Sequence, residues 1–89
     1  MKTGRKFSVR GRVQGVFFRA SGKREAERLG LSGWIRNCEN GDVEGIVNGE
    51  AEAVASFAKW LAQGPRMASV EKLTLTECDY QSFKNFEVR

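Results

Sequence analysis

Asn40-Gly41, near the middle of the 89-residue chain, constrains the fold more than any other pair of residues in it. Asn-Gly is the strongest short-range hairpin signal, because both residues accept the positive φ of a tight two-residue turn. It lies in Glu39–Asp42, between two strand-like runs, Leu31–Cys38 and Val43–Val47, which should therefore pair antiparallel. A helical pattern stands on each side of this hairpin. Ala20–Leu29 places Phe18, Gly22, Ala26 and Leu29 on one face and stops at Gly30, a glycine suited to the C′ position. Glu50–Ala62 carries the apolar stripe Val54, Phe57, Ala58 and Leu61 and ends at Gly64-Pro65. Ahead of the first helix, Phe7, Val9, Gly11 and Val13 alternate with Lys6, Ser8, Arg10 and Arg12, the period of a strand with one buried and one basic face. Val70–Cys78 reads as a fourth strand whose imperfect alternation points to a bulge or a shifted register, and Phe83–Val88 as a short final strand.

The order is β-α-β-β-α-β with one further strand. Right-handed crossovers put both helices on one face of the sheet. The plan is the α+β, ferredoxin-like split β-α-β sandwich, in which strand one pairs with strand three and strand three with strand two in an antiparallel or mixed sheet. A length of 89 residues sets one domain over 1–89 as the expectation. A chain this short buries only about 60–65% of the surface its unfolded form exposes, so it needs an economical two-layer core. No apolar run approaches the roughly 20 residues of a membrane span. The basic start, Met1 to Phe7, lacks the apolar region of a signal peptide, which places the expected location in the cytoplasm.

The chain has no histidine, which removes histidine general bases, Ser-His and Cys-His pairs and nearly every zinc site. Cys38 and Cys78 stand far apart with no CxxC and read as reduced thiols; whether they bridge is a question of geometry. The net charge of +4 is unevenly spread: residues 1–36 hold ten basic residues against Glu25 and Glu27, and the remainder is net acidic. The basic half attracts anions; nucleic acid, an acidic surface, a phosphorylated metabolite or plain solvation all suit it.

Val13-Gln14-Gly15-Val16-Phe17-Phe18-Arg19 lies where the first strand ends and the first helix begins. Helix N-termini offer unpaired N–H groups and a partial positive charge. A glycine at such a turn lets main-chain N–H groups converge into an anion-binding nest. Arg19 adds a planar fork of donors suited to phosphate oxygens. Many glycine turns precede helices for structural reasons alone, so the stretch by itself leaves both readings open. Asn37, at the end of strand two, reads as a turn former or as a residue that approaches this loop.

The stretches GRVQGVFFR (11–19), LGLSGWIRN (29–37), GDVEG (41–45) and GPRMASV (64–70) resemble acylphosphatases in order and over nearly the whole chain. The resemblance implies hydrolysis of the carboxyl–phosphate bond of acyl phosphates to carboxylate and inorganic phosphate, without metal or organic cofactor and without a covalent intermediate. It implies that Arg19 binds phosphate, that main-chain N–H groups of Gln14, Gly15, Val16, Phe17, Phe18 and Arg19 cradle it, and that Asn37 positions water. The chain departs from the family at Gly22, where threonine is usual; a lost hydroxyl there bears on the helix start. The partners expected are a small acyl phosphate and inorganic phosphate, with neither nucleic acid nor membrane, acting on a monomer. The rival reading is a ferredoxin-like module that binds RNA or phosphate without turnover. Stacking aromatics on strands one and three would mark it, whereas the presumed open face offers Lys6, Ser8, Arg10, Arg12, Glu44, Ile46 and Asn48.

Overall fold

A computed structural model describes residues 1–89. The apolar alternation of the first strand extends over β1 (Lys2–Arg12), with Phe7 and Val9 buried and Arg10 exposed on the other face. It is followed by α1 (Phe18–Arg28), β2 (Ser32–Asn37), β3 (Val43–Glu50), α2 (Ala51–Gln63), β4 (Ser69–Cys78) and β5 (Phe86–Val88). The sheet order is β4-β1-β3-β2-β5. All neighbours are antiparallel except β2 and β5, which run parallel with Gly33 opposite Phe86. The β2–β3 hairpin closes where the Asn-Gly signal places it: the Cys38 N–H donates to the Asp42 carbonyl at 2.8 Å, and Asn37 faces Val43.

Both helices pack on one face of the sheet, α1 over β2 and β5 and α2 over β1, β3 and β4. Phe57 of α2 is the hub. Its ring meets Phe7 and Phe86 edge-on at 5.8 Å and stacks on Trp60 at 5.9 Å; Trp60 in turn meets Phe18 of α1 at 5.3 Å. Such pairs add about 0.5–1.5 kcal/mol beyond the area they bury. Gly22 is buried beneath this cluster. A Cβ there would come within 3.0 Å of Ile35 Cδ1 and 3.5 Å of the Trp60 ring, so the tip of Ile35 would have to give by a few tenths of an ångström to admit one.

Several boundaries differ from the sequence reading. β1 begins at Lys2 and ends at Arg12, so Val13 lies in the core beyond the strand. α1 begins at Phe18, because Phe17 already serves as its cap, and ends at Arg28 with Leu29 as C-cap. β2 is shorter than Leu31–Cys38, since Leu31 turns into the core and Cys38 into the hairpin. β3 runs on to Glu50 because β1 continues alongside it, with Lys2 opposite Glu50. α2 is displaced by one residue at each end. β4 starts at Ser69, and its imperfect alternation is a bulge: Arg10 faces Lys72 while Gly11 faces Val70, leaving Glu71 unpaired. β5 keeps only Phe86–Val88 of the expected Phe83–Val88, because residues 79–85 carry the chain from β4 at one sheet edge to β5 at the other. That crossing also corrects the expectation for Asn48. It lies on the helix-free face yet is only 1% exposed, because the Gln81 N–H donates to its Oδ1 at 2.9 Å.

Candidate active site

The link between β1 and α1 contains two left-handed residues, Gly15 (φ 74°) and Phe17 (φ 63°). A Cβ on Gly15 would meet no protein atom within 4 Å, so the positive φ, not crowding, calls for glycine there. Alternation of left- and right-handed residues is the backbone pattern from which anion nests are made. No turn, loop or cap hydrogen bond is donated by the main-chain N–H groups from Gln14 to Arg19. They stand at the N-terminus of an 11-residue helix, where the macrodipole adds to their charge.

A cleft of about 280 Å³ opens at this turn, lined by Val13, Gly15, Phe17, Phe18, Arg19, Ala20, Asn37 and Val88. Arg19 reaches it from the first turn of α1. One guanidinium nitrogen donates to the Arg89 main-chain oxygen at 3.0 Å, and no side-chain carboxylate pairs with it. A guanidinium carries five N–H donors, so four remain. Asn37 comes from the last position of β2. Its side chain is exposed and takes part in no side-chain hydrogen bond. The loop and the end of β2 therefore meet at one opening.

The other loop residues differ in what their side chains do. The Phe18 side chain is 1% exposed, and its buried ring anchors the first turn of α1. Val16 is also buried, in the core. Gln14 turns toward the hairpin: its Nε2 donates to the Cys38 carbonyl at 2.8 Å and the Asp42 carbonyl at 2.9 Å. The Gln14 side chain thus ties the loop to the two residues that follow Asn37 and precede Val43. Only the main chain of Gln14 and Val16 remains available to a ligand at the turn.

The hairpin that carries Asn37 has charge pairs of its own. Arg36 donates to Glu44 from Nε at 2.7 Å and from Nη2, and lies over the Trp34 ring, as does Arg89. The Arg36 guanidinium holds the Glu44 carboxyl below the usual carboxylate range, against a smaller opposing effect of burial. Burial, aided by Glu44, pushes the Cys38 thiol up. Cys38 and Cys78 are both free thiols. Arg10 and Asp42 approach to 3.9 Å at the exposed end of the hairpin.

Sequence reasoning missed Val88 and Arg89. β5 brings them beside β2, where the Arg89 N–H donates to the Ile35 carbonyl at 2.8 Å. No local signal marks them, since their placement depends on which sheet edge a three-residue strand joins.

The acylphosphatase family model matches residues 5–88. The acylphosphatase of Thiobacillus denitrificans is 49% identical over 81 residues, spanning 91% of this chain and 90% of that protein. That of Aeropyrum pernix is 49% identical over 83 residues, spanning 91% of this chain and 82% of the relative. The structure of an acylphosphatase from Coxiella burnetii superposes with a TM-score of 0.95 at 39% identity, covering 99% of this chain and 93% of that one. Matched along almost its entire length in both sequence and structure, the chain belongs to the acylphosphatase family.

Proposed function

We propose that this cleft hydrolyses acyl phosphates by gripping the phosphoryl group and directing water at it, with no bond formed between enzyme and substrate. The chain is an acylphosphatase, a hydrolase of acyl phosphates. What supports the site assignment is one observation: unpaired loop N–H groups, the free donors of Arg19 and the unbonded Asn37 amide all border one opening.

An acyl phosphate already carries a good leaving group, a carboxylate. The demand on the protein is positioning and charge stabilisation rather than strong acid or base. Arg19 and the main-chain N–H groups of Gln14, Gly15, Val16, Phe17, Phe18 and Arg19 hold the non-bridging oxygens. Asn37 orients a water in line with the leaving group. The water oxygen attacks phosphorus, the P–O bond to the acyl group breaks, and its electron pair leaves on the carboxylate. The water proton passes to a phosphoryl oxygen, which suits a chain without histidine. No cofactor has a role in this scheme. The 89 residues act as one domain and as a monomer, in the cytoplasm, without nucleic acid or membrane.

Release of inorganic phosphate from acetyl phosphate, in buffer containing a chelator, tests the reading. Arg19→Ala is expected to remove phosphate affinity and turnover together. Asn37→Ala is expected to lower kcat by about 10²-fold or more while inorganic phosphate still inhibits competitively with little change. Equal loss of phosphate affinity in both variants would refute the division of roles.

A further inference from the structure

Phe17 is the only residue other than glycine with positive φ in the chain, and its side chain is 78% exposed. Both facts are unfavourable. A bulky side chain in the left-handed region is strained, and a solvated ring gains nothing from burial. Phe17 is absent from the core cluster and from every aromatic pair, whereas the neighbouring Phe18 is buried. Glycine would adopt this turn freely. Strain held at a cleft is the kind of outlier from which a functional role is inferred.

The lining of the cleft is divided. Arg19, Asn37 and the loop main chain form its polar part, while Phe17 and the 41%-exposed Val88 supply apolar surface. An acyl phosphate is divided in the same way, charged at the phosphoryl end and, for many acids, apolar at the other. If the phosphoryl group is held by the N–H groups at the start of α1, the acyl group must project past the residue that supplies one of them.

We infer that Phe17 is a specificity-determining residue that favours acyl phosphates with an apolar, aromatic acyl group over those with a small one. The inference rests on the acyl-phosphate reading of the cleft. The Phe17 ring lies against the acyl group as it leaves, and Val88 adds apolar surface to the same opening. Contact of two rings adds to the apolar area removed from water; an acetyl group is too small to gain it.

The test compares kcat/KM for benzoyl phosphate and acetyl phosphate in the unsubstituted enzyme and in Phe17→Asn. Asparagine tolerates the left-handed region and keeps the main-chain N–H. The benzoyl-to-acetyl ratio is expected to fall about tenfold in Phe17→Asn and by less in Phe17→Leu, which stays apolar. A ratio unchanged within about twofold, whatever the absolute rates, overturns the inference. Should Phe17→Asn fail to fold, Phe17→Gly gives the same comparison without strain at the turn. An unsubstituted enzyme that turns over neither compound would instead overturn the acyl-phosphate reading, so the two failures are distinguishable.

Discussion

Gln14 sits in the glycine turn, and its side chain links that turn to the β2–β3 hairpin. Its place in the glycine turn groups it with the loop proposed to hold phosphate, but nothing in the turn indicates a side chain that spans to residues 38 and 42. Those two bonds fix the loop to the hairpin that carries Asn37, so the distance between the proposed phosphate cradle and the amide proposed to direct water depends on Gln14. Gln14→Leu leaves two carbonyls without that donor and is expected to cost about 1–3 kcal/mol in urea unfolding. It is also expected to lower kcat. In the Asn37→Ala background the same substitution should lower kcat little further, because the alignment it maintains no longer matters; additive losses would show that Gln14 acts on the fold alone.

Among the elements, the helices were the most legible. Their apolar stripes include every buried residue, Phe18, Gly22 and Ala26 in α1 and Val54, Phe57 and Leu61 in α2, with Leu29 and Ala58 half-buried, because a 3.6-residue period survives an error of one or two residues at either end. The strands were found but trimmed or extended, since their ends depend on how far a partner continues. β5 was least legible: three residues carry almost no periodicity, and its parallel seat beside β2 follows from the topology of the whole sheet. The departure at Gly22 belongs at this scale too. A threonine Cβ would press on the end of Ile35 at 3.0 Å beside the Trp60 ring, with its two further heavy atoms still to be placed. Gly22→Thr is therefore expected to destabilise the fold by about 1–3 kcal/mol, read from thermal unfolding, despite the better intrinsic fit of most residues to a helix interior. A variant as stable as the parent would show that α1 shifts to make room.

Over the molecule as a whole, charge governs the response to pH. With no histidine in the chain, no side chain has its ordinary titration between about pH 5 and 8, and burial moves Cys38 further above that window. Loss of stability should therefore appear on the acid side. Arg36 depresses the Glu44 carboxyl in the folded state, so this pair stabilises above the carboxyl's unfolded value of about 4.3 and stops doing so as pH falls through the lower folded value. The pair is partly exposed, and its effect is correspondingly modest. Glu44→Gln is expected to lower the melting temperature by roughly 1–4 °C at pH 7, with the difference from the parent closing below about pH 4. A constant difference across that range would mean that packing, not charge, is lost.

The hold of β5 on Arg19 has one more outcome. Phe86 anchors this edge strand in the core against Phe57, but Val88 beyond it is 41% exposed, and Arg89, whose oxygen steadies the Arg19 guanidinium, follows. If Arg19 holds the phosphoryl group as proposed, fraying of Val88 and Arg89 would silence the enzyme while the core, with Phe86 in it, stayed in place. During gentle heating, turnover should thus fade before the far-ultraviolet circular dichroism does, making hydrolysis a gauge of the sheet's outermost rung.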